Sequence, residues 1–233
     1  MANQEHVKLV TGGPDALDSW RENNPDVQLD LEGADLSGVN LAGTKIRKAN
    51  LKGANLSAAR LTRANLAGAD LTGADLSEAD LGQAGMSGAD LTGANLDNVN
   101  LFWADLKGAI LKNAVVRHCR MNRVNLIGAD LTGAEFSQSN MIEADLRNAN
   151  LTNARFQSTN MNGADLSRAI MPGADFTLAM IRDSMWIASD VRGASFKQAS
   201  LHRSDFTLAK WDGTTGFPDN FDPENTGPKD VND

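Results

Sequence analysis

The sequence predicts an all-β solenoid, and two periodic features of the chain carry that prediction. The first is a large apolar residue at every fifth position from Leu31 to Trp211, unbroken over 37 positions. The second is a small residue, most often alanine, two positions before nearly every one of these apolar residues. A period of five fits neither an amphipathic helix, which repeats every 3.6 residues, nor a half-buried strand, which repeats every two. Self-similarity of this length is typical of repeat architectures.

The spacing of the larger side chains predicts how many units close one turn. Phenylalanine recurs at 136, 156, 176 and 196, and methionine at 121, 141 and 161, each spaced by 20 residues. If four five-residue units make a turn, these side chains lie above one another and the rings stack between coils. A three-sided turn would instead place Leu151 over Phe136. The sequence therefore predicts about nine four-sided coils over residues 29–213, with Asp, Asn and Gly at the corners and backbone hydrogen bonds between coils.

The repeat unit itself resembles that of a known family. The segments Ala69-Asp70-Leu71-Thr72-Gly73 and Ala74-Asp75-Leu76-Ser77-Glu78 follow the A-[DN]-L-x-x pattern of the pentapeptide-repeat proteins, and the resemblance covers about residues 29–213. The flanks 19–26 and 217–223 are similar to those of many cyanobacterial and other bacterial members. The resemblance implies a right-handed quadrilateral β-helix.

The first end of the solenoid is predicted to be covered by a helix. An end coil exposes apolar side chains and unpaired backbone, so it needs a cap. Residues 1–28 form an N-terminal segment in which a short capping helix is predicted at about 14–23, with Pro14 in its first turn and Pro25 beyond its end. Ala16, Leu17 and Trp20 share the face that we expect over the first coil.

The second end is predicted to be a cap followed by an acidic, flexible tail over residues 214–233. Trp211, Phe217 and Phe221 are expected to fold back over the last coil. The acidic character of the protein is concentrated in its ends. Of the net charge of −8, residues 1–30 carry −4 and residues 212–233 carry −5, whereas residues 31–211 carry +1.

Catalytic chemistry finds no support in the sequence. His6, His118 and His202 are predicted to be solvated surface residues without a carboxylate partner, and Cys119 occupies a small inward position. One cysteine excludes an intramolecular disulfide framework, and no secretory signal or membrane-spanning run is present. We therefore expect a soluble cytoplasmic protein that is not an enzyme, binds no metal or cofactor, and has a filled interior without a cleft.

Charged surfaces are the first candidates for partner binding. Seven acids and no basic residue lie within residues 64–106: Asp70, Asp75, Glu78, Asp80, Asp90, Asp97 and Asp105. The resemblance suggests a function for this acidic belt, because some family members mimic DNA and occupy the DNA site of type II topoisomerases. However, the belt is expected to spread around several sides within about two coils. A basic patch follows at Lys112, Arg117, His118, Arg120 and Arg123, without interleaved aromatic residues.

Apolar residues at outward positions are the sharper anomaly. Phe102 and Trp103 follow Leu101 where Ser, Thr or Gly is usual, and a second group consists of Leu178, Met180, Met185 and Ile187. Exposed apolar patches mark contact surfaces, although the C-terminal tail or a neighbouring chain is an alternative cover for the Phe102–Trp103 pair.

Two functions follow as hypotheses. The first is a non-catalytic scaffold that presents flat β-helix faces to a protein partner, with Phe102 and Trp103 at the contact. The alternative is a DNA-mimicking inhibitor or protector of a type II topoisomerase (gyrase) that uses the acidic belt. Neither hypothesis includes direct nucleic-acid binding or a membrane, and a monomer is favoured over an end-to-end dimer.

Overall fold

The computed structural model describes residues 2–226, and most of them form a four-sided coil. Parallel β-bridges join residues 20 apart, from Asp30 with Asn50 to Asp190 with Lys210. Each side is too short for a continuous strand and contributes one bridge position per coil. We number the sides by their central apolar residues: side 1 contains residues 31, 51 and so on, side 2 contains 36 and 56, side 3 contains 41 and 61, and side 4 contains 46 and 66. The predicted period of 20 residues is confirmed.

The corners are type II β-turns that the repeat sequence specifies. The Ala74 amide donates to the Leu71 carbonyl at 3.0 Å, and Gly73 between them has φ +64°. That left-handed value is required at the third position of a type II turn and favours glycine. The Asp70 Oδ1 accepts a hydrogen bond from the Thr72 amide at 3.0 Å and fixes the turn from its other end. The aspartate and glycine of the repeat therefore serve the backbone.

The interior is filled by columns of like side chains. The rings of Phe136, Phe156, Phe176 and Phe196 stack on side 2, with centroids 4.9, 4.9 and 5.1 Å apart and planes within 5°. On side 4, Trp186 stacks on Phe206 at 5.2 Å. The Phe and Trp side chains of these columns are buried. The ladder places Phe136 and Phe156 on one wall, as a twenty-residue coil requires.

The N-terminal cap contains two helices, whereas the sequence predicts one. Helix α1 spans Gln4–Thr11 and helix α2 spans Pro14–Asn23. Asn3 caps α1 by accepting from the Glu5 amide at 2.9 Å. Leu17 of α2 is buried and Trp20 packs against the core. Ala16 is exposed, so its predicted place over the first coil was wrong.

At the C-terminal end the repeat slips by one residue. The last bridge joins Ser195 to Gly216, 21 residues apart, and Phe217 therefore stacks on Phe196 at 5.4 Å. Trp211, which the five-residue phase places inside, is 39 % exposed and meets the Phe217 ring edge at 6.3 Å. The inward column thus ends at Phe206, and Phe217 takes the next inward position.

An open groove lies at the C-terminal end, after this one-residue slip. The expectation that the molecule has no cleft was therefore wrong. It has a volume of about 1010 Å³ and lies between residues 199–205 and residues 218–226. Within the predicted C-terminal cap and tail, Phe221 packs on Phe206 at 5.2 Å, and a short 3₁₀ helix spans Pro223–Asn225. The remainder of that tail, residues 227–233, lies outside the described residues.

Candidate functional site

The aromatic pair Phe102–Trp103 is exposed at the corner that follows Leu101 on side 3. Phe102 is 38 % and Trp103 52 % exposed, and their rings meet edge to face at 6.4 Å. Trp103 has φ +58°, a left-handed conformation that favours glycine over a bulky residue. Neither burial in the core nor the preference of the backbone conformation therefore explains why large apolar side chains stand at these two positions.

The coil that follows the pair holds the Trp103 ring in place. Residues 120–123 lie directly after residues 100–103 on side 3. The Arg123 guanidinium lies 5.4 Å from the Trp103 ring centroid, and its Nε is 2.6 Å from the Glu143 carboxylate of the next coil. The cation–π contact and the ion pair hold one face of the indole against the solenoid. Basic and aromatic residues are thus interleaved here, contrary to the sequence-based description of the basic patch.

The remaining members of the basic patch lie on two other sides, where Arg117 and His118 both contact Asp97. Lys112 lies on side 1 and pairs with Asp130 at 3.1 Å, whereas Arg117 lies on side 2, 3.5 Å from Asp97. Only Arg120 and Arg123 share side 3 with the aromatic pair.

The acidic belt is also distributed around the coil. Asp70 and Asp90 lie on side 1, where they occupy bridged positions of adjacent coils. The other five acids are divided among three sides: Asp75, Glu78 and Asp97 on side 2, Asp80 on side 3, and Asp105 on side 4. The structure therefore does not bring the belt together on one face.

Most of the belt acids are engaged by the repeat itself. The Asp75 Oδ1 accepts from the Asn95 side-chain amide at 2.9 Å, and the Asp105 Oδ1 accepts from the Asn125 amide at 2.9 Å. Asp80 accepts from Asn100 at 2.7 Å. Alternation of Asp and Asn within a column replaces repulsion between like charges by a hydrogen bond, which stabilises the coil.

The expectation that the three histidines are unpaired surface residues was wrong for His118 and His6. His118 Nδ1 lies 3.0 Å from Asp97 Oδ1 and its Nε2 lies 2.6 Å from Gln138 Oε1, so one imidazole links three coils. His6 Nδ1 accepts a hydrogen bond from the Asp30 amide at 3.0 Å and belongs to the N-terminal cap. His202 lines the C-terminal groove, and among residues 2–226 its side chain makes no hydrogen bond.

The environment of His118 gives a testable pH dependence of stability. Its hydrogen bonds, first to Asp97 and then to Gln138, raise the pKa of His118 above the ordinary value, against the opposing effects of desolvation and of the Arg117 charge. A histidine whose pKa is raised in the folded state stabilises the fold below its ordinary pKa, and this contribution is lost as the pH rises through the raised value.

We therefore expect the difference in Tm between the wild type and His118→Asn to be larger at pH 5 than at pH 9. Asparagine suits the left-handed φ of +57° at this position. The control is His202→Asn, which removes a histidine whose side chain makes no hydrogen bond among residues 2–226 and should lower Tm at pH 5 by less than His118→Asn does. A His118→Asn difference that is the same at both pH values would contradict the assigned hydrogen bonds. Thermal unfolding followed by circular dichroism measures both.

Cys119 is buried, as its inward position predicts. Burial raises the pKa of Cys119 to about 12, and its Sγ lies 2.9 Å from the Leu96 carbonyl oxygen. A thiol in this environment is not a nucleophile, because reactivity requires the thiolate. Although His118 is its neighbour in sequence, the imidazole points outward to Asp97 and Gln138. Among residues 2–226, no cluster of three His, Cys, Asp or Glu side chains has the arrangement of a metal site.

The five-residue repeat matches a known protein family over most of the coil. The family model described as pentapeptide repeats matches in eight copies, and the matched stretches are 27–63, 49–88, 74–113, 100–138, 119–157 and 149–184. They extend over more than half of the 233 residues. The chain belongs to the pentapeptide-repeat family. Its fold is the right-handed quadrilateral β-helix of that family, as the resemblance implied.

Several solved structures of pentapeptide-repeat proteins are similar to this chain. One is HetL, which is involved in heterocyst differentiation regulation in the cyanobacterium Nostoc sp. strain PCC 7120 (24% identity, 87% of this chain and 97% of that chain, TM-score 0.40). Another is QnrB1, a plasmid-mediated fluoroquinolone resistance protein (20% identity, 75% and 89%, TM-score 0.46). A third comes from the Arabidopsis thaliana thylakoid lumen (35% identity, 47% and 69%, TM-score 0.34).

A search of curated proteins finds no match to this sequence. With respect to membranes, no helix within residues 2–226 has the length and apolar character needed to cross a bilayer.

Proposed function

We propose that this pentapeptide-repeat protein is a non-catalytic interaction scaffold that binds a protein partner through side 3, with Phe102 and Trp103 at the centre of the contact. The observation that carries the proposal is that two exposed aromatic side chains lie next to each other and pack edge to face. Aromatic residues are enriched at the centres of protein interfaces, where they contribute a large share of the binding energy.

The rigidity of the coil supports this function. The backbone under the pair is bonded to both neighbouring coils: the Leu101 amide donates to the Arg120 carbonyl at 2.7 Å, and the Gln83 amide donates to the Phe102 carbonyl at 2.8 Å. A preorganised surface loses little conformational entropy when a partner binds. Phe102 and Trp103 are therefore presented at low entropic cost.

Other exposed apolar residues make weaker candidates for the contact. Met180 lies on side 3 and Leu178 at the corner before it, whereas Met185 lies on side 4. Leu208, at the corner after side 4, is the most exposed of them at 77 %. None of these residues is part of an aromatic pair, and single exposed apolar residues are normal on protein surfaces. They provide matched controls for the aromatic pair.

The first test compares capture of a partner by two variants of the purified chain. The double variant Phe102→Thr with Trp103→Gly restores the residue types that stand at the equivalent positions Thr72 and Gly73. We expect it to lose the partner that the wild type retains from an extract of the source organism, because the central contact is removed. Quantitative mass spectrometry of the bound fraction measures the loss.

The control for this experiment is Leu208→Gly, which removes another exposed apolar side chain from a left-handed corner position (φ +60°). This variant should retain the partner. Circular dichroism and thermal unfolding verify that both proteins are folded. If the double variant retains every partner of the wild type, the proposed contact is wrong.

The alternative function, DNA mimicry at a type II topoisomerase, is less well supported by the geometry. A mimic of the duplex needs negative charge along one line of the rod, whereas the belt acids lie on four sides and three of them accept side-chain amide hydrogen bonds. We expect purified gyrase to keep its full supercoiling activity when this protein is in large excess. Inhibition that weakens when Asp70 and Asp90 are replaced by Asn would reverse the preference between the two functions.

A further inference from the structure

Side 3 carries four exposed arginines around the aromatic pair. Arg60 and Arg63 lie two coils before Phe102 and Trp103, and Arg120 and Arg123 lie one coil after them. Between these rows is Gly82, which is buried and projects no side chain. The two pairs of arginines therefore flank the aromatic rings along the axis of the rod, and Gln83 is the exposed corner residue of the coil between Arg63 and Trp103.

The charges of this surface are only partly neutralised within the chain. Arg123 pairs with Glu143, and the Arg63 Nε donates to the neutral Gln83 side chain at 2.7 Å. Arg60 and Arg120 have no ion pair with any residue between 2 and 226. They occupy the same column, with Asp80 and Asn100 between them.

Asp80 is the acid that lies in the same column as Arg60 and Arg120, and it is held by three donors. Its Oδ1 accepts from the Gly82 amide at 3.1 Å and from the Asn100 side chain at 2.7 Å, and its Oδ2 accepts from the Thr62 hydroxyl at 2.9 Å. The Asp80 carboxylate is thereby directed into the repeat. Although burial opposes the shift, these hydrogen bonds and the positive charge of Arg60 lower the pKa of Asp80. Neither Arg60 nor Arg120 forms an ion pair within residues 2–226, and both guanidinium groups can reach anionic groups of another molecule.

The spacing of the two arginines matches an extended peptide. Three coils separate Arg60 from Arg120, and at the usual distance between paired strands this is about 14 Å. In an extended chain residues i, i+2 and i+4 point to the same side and span roughly 13 Å. Acidic residues at i and i+4 would face the two arginines, and the residue at i+2 would lie beside Phe102.

We propose that side 3 binds an extended acidic segment of a partner protein, whose carboxylates at i and i+4 pair with Arg60 and Arg120 and whose apolar side chain at i+2 packs on Phe102 and Trp103. The inference rests on the proposed function and adds the chemistry of the partner. A single-stranded nucleic acid is the competing ligand for arginines and aromatic rings. Successive bases need successive stacking platforms, whereas the outward column of side 3 holds Thr62, Gly82 and Asn122 around its single phenylalanine.

The inference is tested with synthetic peptides and the full chain labelled with ¹⁵N. The probe is the peptide Gly-Glu-Ser-Phe-Ser-Glu-Gly, and the control peptide Gly-Glu-Glu-Phe-Ser-Ser-Gly has the same composition with adjacent acids. The indole N–H resonance of Trp103, assigned with Trp103→Phe, reports binding and gives Kd. We expect the probe to shift this resonance and to bind more tightly than the control peptide.

Charge variants complete the design. Arg60→Gln with Arg120→Gln should weaken binding of the probe about fivefold, since each exposed ion pair contributes modestly. Arg47→Gln with Arg168→Gln removes two exposed arginines outside side 3 and should leave Kd unchanged. The ¹⁵N NMR spectra of both double variants without peptide should resemble that of the wild type, which verifies that the variants are folded.

Three results would overturn the inference: no shift of Trp103 with the probe, equal Kd values for the two peptides, or unchanged binding to Arg60→Gln with Arg120→Gln. Tighter binding of a thymidine oligonucleotide than of the probe would also overturn it in favour of a nucleic-acid ligand. If one of these results occurs while Phe102→Thr with Trp103→Gly still loses its partner, the proposed function stands and only the peptide chemistry is wrong. If partner capture is also unaffected, both fail.

Discussion

Replacing Phe156 by alanine is expected to lower the free energy of unfolding by about 3–5 kcal/mol, as measured by chemical denaturation. The Phe156 ring is fully buried and stacks at 4.9 Å on both Phe136 and Phe176. Its removal leaves a cavity that a coil bonded above and below cannot close by moving its backbone. The loss of two stacked neighbours adds to the loss of buried apolar area.

The matched control for Phe156 is Leu208→Ala at an exposed corner. Leu208 is 77 % exposed, so its truncation should change stability by less than about 0.5 kcal/mol. A Phe156→Ala variant as stable as Leu208→Ala would mean that the ladder is not the continuous core described above.

Replacing Leu76 by lysine is expected to abolish cooperative folding or to lower the free energy of unfolding by more than about 4 kcal/mol. Leu76 is completely buried on side 2, and the described core offers no acidic side chain to pair with an ammonium group. Circular dichroism and thermal unfolding detect the effect. The prediction depends on the inward orientation of the Leu76 side chain. Ser77, whose side chain points outward, is therefore the sharpest control.

That control is Ser77→Lys. Ser77 follows Leu76 in the turn and is partly exposed, and the equivalent residue of the next coil is Asp97. A lysine at 77 lies near that carboxylate, so the change should be neutral or slightly stabilising. Similar destabilisation of Leu76→Lys and Ser77→Lys would contradict the inward and outward assignment of the repeat.

The fold was predictable because every level of the sequence repeats with the same period. The phenylalanines at 136, 156, 176 and 196 identified a twenty-residue turn, and the stacked rings confirm it. The corner residues were equally informative, since a glycine such as Gly73 has the left-handed φ that its turn requires. Where the period holds, one coil predicts the next.

The prediction was wrong where the period ends. The segment from Lys210 to Gly216 contains one residue more than the repeat allows, and Phe217 replaces Trp211 as the next inward aromatic. The signal was present in the sequence, because Gly216 stands where an apolar centre was due and Phe217 follows one position late. Helix α1 was missed for a related reason: it lies outside the repeat and is fixed by local capping at Asn3.

The surface could be predicted only in part. The outward position of Phe102 and Trp103 followed from the repeat phase, but the contact of Arg123 with the indole required coordinates. The period does not reveal the His118–Asp97 pair, because the two residues are 21 apart and lie in adjacent columns, whereas the period relates residues that are 20 apart. Side-chain length and rotamer decide such diagonal contacts, and the periodicity does not encode them.

Site-specific photocrosslinking at the four sides of the coil tests the central claim most directly. The photoreactive residue benzoylphenylalanine is placed in turn at 77, 92, 102 and 107, which are equivalent outward positions on sides 2, 1, 3 and 4. Because the coil is rigid and only side 3 makes the proposed contact, we expect an adduct with the partner from position 102 and none from the other three. Adducts of equal yield from all four sides, or from any side other than side 3, would contradict the account.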